Sequence, residues 1–415
     1  MIERRDIEIM APVGSWESLA AAFQAGADAV YFGIEKLNMR ARSSVNFTIN
    51  DLSDIVLQCR ERGVKTYLTL NTVIYPEDIP VMRGVIDAAG ESGIDAIIAS
   101  DMAVIQYARS KGVNIHISTQ VNISNQEAIR YYAGFADVMV MARELTLDQV
   151  SVMRKTIIKD NITGPSGNLV RLEMFVHGAL CMAVSGKCYL SLHHYNKSAN
   201  RGACLQLCRR AYTVKDKETD TELDIHNEYI MSPKDLATIG FVNKLIDSGV
   251  TVFKIEGRAR GPEYVKTVTE CYREAVESYF DGTYGDEKIK LWETRLTSVF
   301  NRGFWDGYYL GSKLGEWSHV YGSLSSRKKV YIGKCTNWFS NIGVAEFVME
   351  TGTLKQGDDI LITGNTTGVL EMTVPELRLE YDPVAEVTKG QRFSFKTTEK
   401  VHRGDRLFRW EISCL

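Results

Sequence analysis

The sequence predicts an α/β protein: a (β/α)8 TIM-like barrel that carries a cysteine-rich insertion and is followed by a small C-terminal all-β barrel domain. A unit of amphipathic helix, glycine and short apolar strand recurs through the first 260 residues. From about Arg327 the pattern changes to strands that alternate or run apolar between Gly and Asp turns. The chain has 415 residues. One hydrophobic core stops growing at about 250 to 300 residues, so two domains are expected.

Eight strands are expected in the barrel. Glycine supplies the left-handed turn that ends a helix, as at Gly26 and Gly63, and the Val, Ile, Tyr and Phe that follow suit a strand covered on both faces. The expected strands lie near residues 7–13, 26–33, 63–70, 93–100, 112–119, 138–144, 172–178 and 249–256. An open doubly wound sheet is the alternative, but the sequence contains neither a GxGxxG motif nor a P-loop. Eight alternating units favour the closed barrel.

The expected domains are a barrel over residues 1–325 and a β domain over residues 326–415. An insertion over about residues 179–251 separates strands seven and eight. It contains a cysteine-rich loop, the polar turn KDKETDTELD and a predicted helix near residues 233–248. Two more helices are expected after strand eight, at residues 262–280 and near 286–300. An insertion at this point overhangs the C-terminal mouth of the barrel, where such folds place their chemistry.

Composition sets limits on the function. The hydrophobic share of 45% and the charged share of 24% are ordinary for a soluble globular protein. The formal net charge of -3 gives no global electrostatic case for binding to nucleic acid or a membrane. The first residues lack the apolar stretch of a signal sequence, and nowhere do eighteen apolar residues run uninterrupted. We therefore expect a cytoplasmic protein that does not bind a membrane. In a reducing compartment, clustered cysteines favour a metal or redox role over disulfides.

Four of the eight cysteines lie within a tenth of the chain, at Cys181, Cys188, Cys204 and Cys208. Four thiolates can bind zinc or an iron-sulfur cluster, or the cysteines can be unligated core residues. Structural zinc prefers two pairs with short spacings, and only Cys204 and Cys208 have such a spacing, so a cluster is favoured over zinc. The remaining cysteines are expected in small apolar roles: Cys59, Cys271, Cys335 and Cys414.

The same segment is basic. Residues 174–215 contain no Asp or Glu but six Lys or Arg, namely Lys187, Lys197, Arg201, Arg209, Arg210 and Lys215. These charges either offset a thiolate-ligated cluster or face phosphates, and a merely solvated loop is the third possibility. Tyr189, Tyr195 and Tyr212 are interleaved with them and either stack on unpaired bases or pack against the barrel.

Polar side chains converge at the C-terminal ends of the expected strands, as a site for a small polar substrate requires. His177, Glu256 and Arg258 are the catalytic candidates, because they border the insertion. The substrate-binding candidates are Asn71, Gln120, Arg143, Arg201 and Lys254. Asp101 and Glu144 also lie at strand ends. The sequence contains no HExxH zinc motif and no GxSxG nucleophile elbow, which leaves a Cys-His pair as the remaining protease arrangement.

Several segments together resemble the U-32 peptidase family: APVGSWESLAAAFQAGADAVYFG, STQVNISN, FVHGALCMAVSGKCYLS, SANRGACLQLCR, KIEGRARGPEYV and FNRGFWDGYYLG. The resemblance covers nearly the whole chain. It implies oxygen-independent hydroxylation of a tRNA uridine, a ribosomal RNA cytidine or the ubiquinone ring. It further implies a 4Fe-4S cluster whose ligands match Cys181, Cys188, Cys204 and Cys208, and prephenate as the oxygen source in the RNA-modifying branches.

The chain length and the C-terminal β domain, which resembles the second domain of translation elongation factors, are most similar to the tRNA-modifying branch. The resemblance thus implies formation of 5-hydroxyuridine at the tRNA wobble position, with tRNA and prephenate as partners and Arg201 or Arg258 holding the donor's carboxylates. Two alternatives stay open. One is a peptidase or collagenase activity, as the family name indicates, and the other is a tRNA-binding or assembly subunit for a shorter paralogue.

Overall fold

The computed structural model describes residues 2–41, 47–213, 218, 229–311 and 315–413. Within these residues eight parallel strands close into a barrel, with helices alternating outside them. The barrel strands are β1 (Glu8–Pro12), β2 (Ala29–Phe32), β3 (Lys65–Leu70), β4 (Ala96–Ala99), β5 (Ile115–Ile117), β6 (Val138–Val140), β7 (Arg171–Gly178) and β9 (Val250–Ile255). Closure comes from β9, which pairs in parallel with both β1 and β7. The predicted TIM-like fold is confirmed.

Helices connect the strands and shield their outer faces. The helices of the first six units are α1 (Trp16–Gln24), α2 (Leu52–Arg60), α3 (Ile79–Ser92), α4 (Met102–Ser110), α5 (Gln126–Ala133) and α6 (Leu147–Lys159). Local signals set their ends: the Thr146 hydroxyl accepts from the Gln149 N–H at the start of α6, and Gly93 ends α3 with a φ of 77°. No helix among the described residues is long and apolar enough to cross a membrane.

The insertion differs from its prediction at one point. The expected helix near residues 233–248 is instead a strand, β8 (Asp235–Ala237), a 3-10 turn and a short helix, α8 (Val242–Asp247). β8 pairs antiparallel with the end of β7 and parallel with β10 (Phe304–Trp305), and this long-range pairing outweighs the local helical pattern. The described part of the insertion also contains the short helix α7 (Leu190–Tyr195). The polar turn KDKETDTELD lies, except for residue 218, outside the described residues.

Two helices follow β9: α9 (Pro262–Phe280) and α10 (Asp286–Thr297). The C-terminal region then forms an antiparallel sheet, so the all-β prediction is confirmed. Its strands are β11 (Arg327–Phe339), β12 (Val344–Met349), β13 (Thr353–Lys355), β14 (Asp359–Gly364), β15 (Gly368–Thr373), β16 (Leu377–Leu379), β17 (Asp382–Val384), β18 (Glu386–Thr388), β19 (Arg392–Lys396) and β20 (Arg406–Ile412). Eight of them form one sheet in the order β15-β14-β20-β11-β12-β19-β16-β17, and β13 pairs with β18.

One face of the C-terminal sheet packs against the barrel helices, while the other face forms a separate hydrophobic cluster. Leu361, Val369 and Phe408 are buried in the same hydrophobic cluster as the barrel. At this interface the Gln24 side chain at the end of α1 donates to the Thr367 carbonyl at 3.0 Å and accepts from the Val369 N–H at 2.9 Å. One side chain therefore satisfies two backbone groups of the β region, more than 340 residues away in sequence.

We predict that Gln24→Ala lowers the free energy of unfolding by about 1–3 kcal/mol, because it leaves two backbone groups at the interface without their partner. Urea denaturation followed by tryptophan fluorescence measures this change. Gln106→Ala is the control, since Gln106 is exposed on α4 and the change should stay within about 0.5 kcal/mol. Equal stability of the two variants would contradict a contribution from this contact.

Candidate active site

A cavity of about 490 Å³ lies at the C-terminal mouth of the barrel, beneath residues 179–213 of the insertion, which we call the flap. Strand ends supply its floor and the flap supplies its roof. Six of the polar residues predicted from strand ends line it: Asn71, Gln120, Arg143, Lys254, Glu256 and Arg258. All four clustered cysteines line the same cavity: Cys181, Cys188, Cys204 and Cys208. The structure thus brings the two predicted sets together.

The cavity wall is strongly basic. Glu256 is its single acidic residue among the described ones. The eight basic residues in the wall are Arg40, Arg143, Lys187, Arg209, Lys254, Arg258, Arg260 and Arg302. A wall with such an excess of cations, partly shielded from water, favours an anionic ligand.

Glu256 is held by Arg40, which reaches into the cavity from the segment after β2. The Arg40 guanidinium donates to Glu256 Oε1 from Nη2 at 2.6 Å and from Nε at 3.2 Å. Burial alone would raise the pKa of Glu256, but Arg40 and Arg143 together lower it to about 2. Glu256 is therefore ionised at neutral pH and unsuited to donate a proton there.

Arg258 is a deeply buried cation of the site, with 5% of its surface exposed. Its Nη1 donates to Thr69 Oγ1 at 2.7 Å. A Cβ at Gly33 would lie 2.5 Å from this nitrogen, so glycine is required for the guanidinium to fit. Burial lowers the pKa of Arg258 to about 10, which still leaves it charged at neutral pH. Its remaining N–H donors suit bidentate binding of a carboxylate.

Arg143 and Lys254 lie beside the Phe175 ring. The Arg143 guanidinium stacks 3.8 Å from the ring centroid and donates to the Ala179 carbonyl at 3.0 Å, while its buried Nε has no hydrogen-bond partner in the described part of the chain. Lys254 Nζ donates to Oε1 of the fully buried Glu173 at 2.6 Å. Glu173 neutralises Lys254, so Arg143 retains more binding capacity than the lysine.

Amide groups complete the floor. Asn71 donates from Nδ2 to Ser118 Oγ and to Gln120 Oε1, both at 3.3 Å, and accepts from the Met39 N–H at 3.2 Å. The Ser118 hydroxyl also donates to Gln120 Oε1. These bonds fix the amide orientations, as a site that orients a polar substrate requires.

The flap leaves β7 through a tight turn. Gly178 has a φ of 101°, and a Cβ there would lie 2.3 Å from the Glu256 carbonyl oxygen, so this turn requires glycine. Farther along, Arg209 donates from Nη2 to the Leu180 carbonyl at 2.6 Å and from Nη1 to Ser232 Oγ at 2.9 Å. Arg209 thus ties the end of the flap back to its start and holds Cys181 and Cys208 on one side of the cavity.

The four flap cysteines are free thiols. Burial raises the pKa of Cys208 to about 11, partly offset by Arg209, and the charges of the other three cysteines raise it further. The donor set, four thiols beside many cations, fits a thiolate-ligated group. In the described part of the chain, however, no three His, Cys, Asp or Glu side chains are gathered closely enough to hold a metal ion. Of the other cysteines, Cys59, Cys271 and Cys335 are buried, and Cys414 lies outside the described residues.

Two predicted site residues lie outside the cavity wall. His177 is packed among the rings of Tyr264, Tyr272 and Phe304, with centroids 5.4–6.0 Å away, and burial lowers its pKa to about 3. Arg201 bonds to Asp78 and stacks 4.0 Å from the centroid of a tyrosine ring in the loop after β3. Both positions favour a structural role, in which Arg201 ties the flap to the barrel.

The remaining strand-end candidates also lie elsewhere. Asp101 caps α4 by accepting from the Ala103 N–H at 2.9 Å, and Glu144 is exposed outside the cavity wall. Conversely, sequence reasoning missed Arg40, Arg260 and Arg302. Arg260 and Arg302 lie in the motifs KIEGRARGPEYV and FNRGFWDGYYLG, so these motifs could have indicated them as site residues. Nothing in the local sequence pattern distinguishes Arg40.

A family model described as Peptidase family U32 matches residues 14–319. A protein of Porphyromonas gingivalis named "Collagenase" is 63% identical over 406 residues, covering 98% of each chain. The "tRNA hydroxylation protein P1" of Bacillus subtilis is 28% identical over 407 residues, covering 95% of this chain and 93% of that protein.

The name of a third relative refers to ribosomal RNA. The "23S rRNA 5-hydroxycytidine C2501 synthase" of Escherichia coli is 32% identical over 318 residues, which cover 75% of this chain and 46% of that protein. The family model spans the barrel from α1 onward, the flap and most of the connection to the C-terminal sheet. The resemblance seen in the sequence motifs is therefore confirmed, and the chain belongs to peptidase family U32.

Proposed function

We propose that this chain hydroxylates RNA without molecular oxygen, forming 5-hydroxyuridine at the tRNA wobble position with prephenate as oxygen donor and a 4Fe-4S cluster as cofactor. The single observation that carries this function is the cavity in which four free thiols and eight basic residues share one wall with one carboxylate. The RNA-hydroxylating relatives support an RNA substrate, and the match over 95% of the chain to a tRNA hydroxylation protein favours tRNA.

The donor would bind on the barrel side of the cavity. Prephenate carries two carboxylates, which the guanidinium groups of Arg258 and Arg143 would bind, since both retain N–H donors. The amides of Asn71 and Gln120 would orient the polar groups between the carboxylates. Glu256 would stay ionised throughout and keep Arg40 in place.

Cys181, Cys188, Cys204 and Cys208 would hold the cluster, for which their sulfurs have to move closer together than they lie here. When bound, a cluster of this type supplies one-electron and Lewis-acid chemistry. The flap residues themselves cover the donor and exclude water, and the basic wall compensates the negative charge of four thiolates.

Peptide hydrolysis is the second candidate, because the relative that is 63% identical is named "Collagenase". The described cavity offers thiols as nucleophiles, but the buried His177 is not in its wall. A Cys-His pair built from this histidine would therefore require rearrangement of β7. The two candidates differ in what they need: hydrolysis should persist without iron and prephenate, whereas hydroxylation should not.

The tRNA nucleosides of a strain lacking this gene provide the main test. We expect 5-hydroxyuridine and its derivatives to disappear from the deletion strain, to return with the wild-type gene and to stay absent with Cys204→Ala, as measured by mass spectrometry of digested tRNA. Cys59→Ala is the matched control, because Cys59 is buried in α2 away from the cavity. Unchanged nucleosides in a deletion strain that lacks every paralogue of the chain would refute this function.

Iron content tests the cofactor separately. We predict that anaerobically purified protein contains iron and acid-labile sulfide in equal amounts with a broad visible absorbance, and that Cys181→Ala or Cys204→Ala removes most of both. Cys335→Ala should retain them, since Cys335 is buried in the C-terminal sheet. Stoichiometric zinc without iron would exclude the cluster.

Kinetics test the donor site. Arg258→Lys should raise the KM for prephenate by roughly tenfold or more while leaving iron content unchanged, because an ammonium cannot reproduce bidentate carboxylate binding. Arg201→Lys is the control, since its partner Asp78 lies outside the cavity and a lysine can keep that ion pair. A rise in KM only for the Arg201 variant would assign the carboxylates to Arg201 instead.

A further inference from the structure

We propose that the ring of Tyr189 is the platform on which the target RNA base stacks at the rim of the cavity. This inference rests on the function proposed above and adds the residue that receives the base. Tyr189 combines two properties: 74% of its surface is exposed, and it lines the cavity wall next to Cys188. One face of its ring can thus contact the cavity while the other remains accessible from solvent.

Tyr189 differs from the other tyrosines around the mouth. The hydroxyls of Tyr31, Tyr264, Tyr272 and Tyr309 each donate to a backbone carbonyl at 2.7–2.8 Å. Among the described residues, Tyr189 makes neither a side-chain hydrogen bond nor a ring contact. The structural roles that explain the buried tyrosines therefore do not explain this one.

The backbone beneath the ring is fixed. Tyr189 immediately precedes α7, and its carbonyl accepts from the His193 N–H at 2.8 Å. Within α7, the buried Ser191 accepts at Oγ from the Leu205 N–H at 3.0 Å, which ties this turn to the opposite side of the flap. A ring on an anchored backbone has only two side-chain torsions to immobilise on binding, so stacking on it costs little entropy.

The surroundings of the ring favour RNA over other partners. The described residues 174–213 contain no acidic side chain, and the exposed Lys187 and Arg210 lie on the same flap. Arg210 Nη1 donates to the Tyr195 hydroxyl at 3.2 Å, which gives the flap a second exposed ring beside a cation. Unpaired RNA is recognised by this combination of aromatic faces for bases and cations for phosphates.

The position of the ring also matches the chemistry. An enzyme that modifies a base has to take it out of its stack, and stacking on a protein ring offsets part of that cost. A base resting on Tyr189 would lie at the entrance of the cavity that holds the cysteines and Arg258. An unpaired loop nucleotide meets this requirement at lower cost than a nucleotide inside a duplex.

Fluorescence of a labelled RNA tests the inference. The probe is an anticodon stem-loop RNA with a fluorescent base analogue at the wobble position, titrated with intact, iron-loaded protein. Wild type should bind and quench the analogue, and Tyr189→Ala should weaken binding by at least about fivefold and lose the quenching. Tyr189→Phe should behave like wild type, because stacking needs the ring and not the hydroxyl.

Tyr381→Ala is the matched control, because Tyr381 is also a highly exposed tyrosine, at 87%, and lies in the turn between β16 and β17, outside the cavity wall. Iron content and thermal unfolding of each variant establish that it is folded. Unchanged affinity and quenching in Tyr189→Ala would overturn the stacking role while the hydroxylation activity of wild type still stands. An equal loss in Tyr189→Phe would also overturn it, and a wild type that neither binds nor modifies the RNA would refute the proposed function itself.

Discussion

Pairing between β7 and β9 is the interaction on which the rest of the structure depends. It closes the barrel although the whole insertion separates the two strands in sequence. The Glu256 N–H donates to the His177 carbonyl at 2.9 Å, so the C-terminal end of β9 lies beside the point of the mouth at which the insertion leaves β7. Because the insertion starts at the mouth and Arg209 bonds the end of the flap back to the Leu180 carbonyl, the flap cysteines lie above the strand ends that carry Arg258 and Asn71.

Much of this arrangement can be predicted from the sequence, because strand ends of a closed parallel barrel meet at one face. Six polar residues and four cysteines that this reasoning brings to the mouth do line one cavity. His177 does not line this cavity. The pairing of β7 with β9 shifts register between Phe175 and His177, and an alternating sequence pattern contains no sign of such a shift. Arg201 is held by Asp78, more than 120 residues away, and a local pattern cannot reveal that partner either.

Several buried cations lie close together in the cavity wall, and their desolvation and mutual repulsion cost free energy. Binding of an anionic ligand would reduce that cost. Burial and the neighbouring Arg302 lower the pKa of Arg260 to about 10, and burial does the same for Arg258. Groups destabilised in this way are typical of binding sites, where stability is given up for affinity. Binding of a carboxylate or a phosphate would lower this cost, so the cavity favours an anionic substrate.

The contact between Gln24 and the β15 end of the C-terminal sheet also constrains the order of events during synthesis. During synthesis the N-terminal domain folds first. The outer side of α1, however, contacts Thr367 and Val369, which are synthesised more than 340 residues after Gln24. During that interval the apolar surface that later contacts Leu361, Val369 and Phe408 is uncovered on a nearly complete barrel. We therefore expect the nascent barrel to be prone to aggregation until the C-terminal sheet has folded against it.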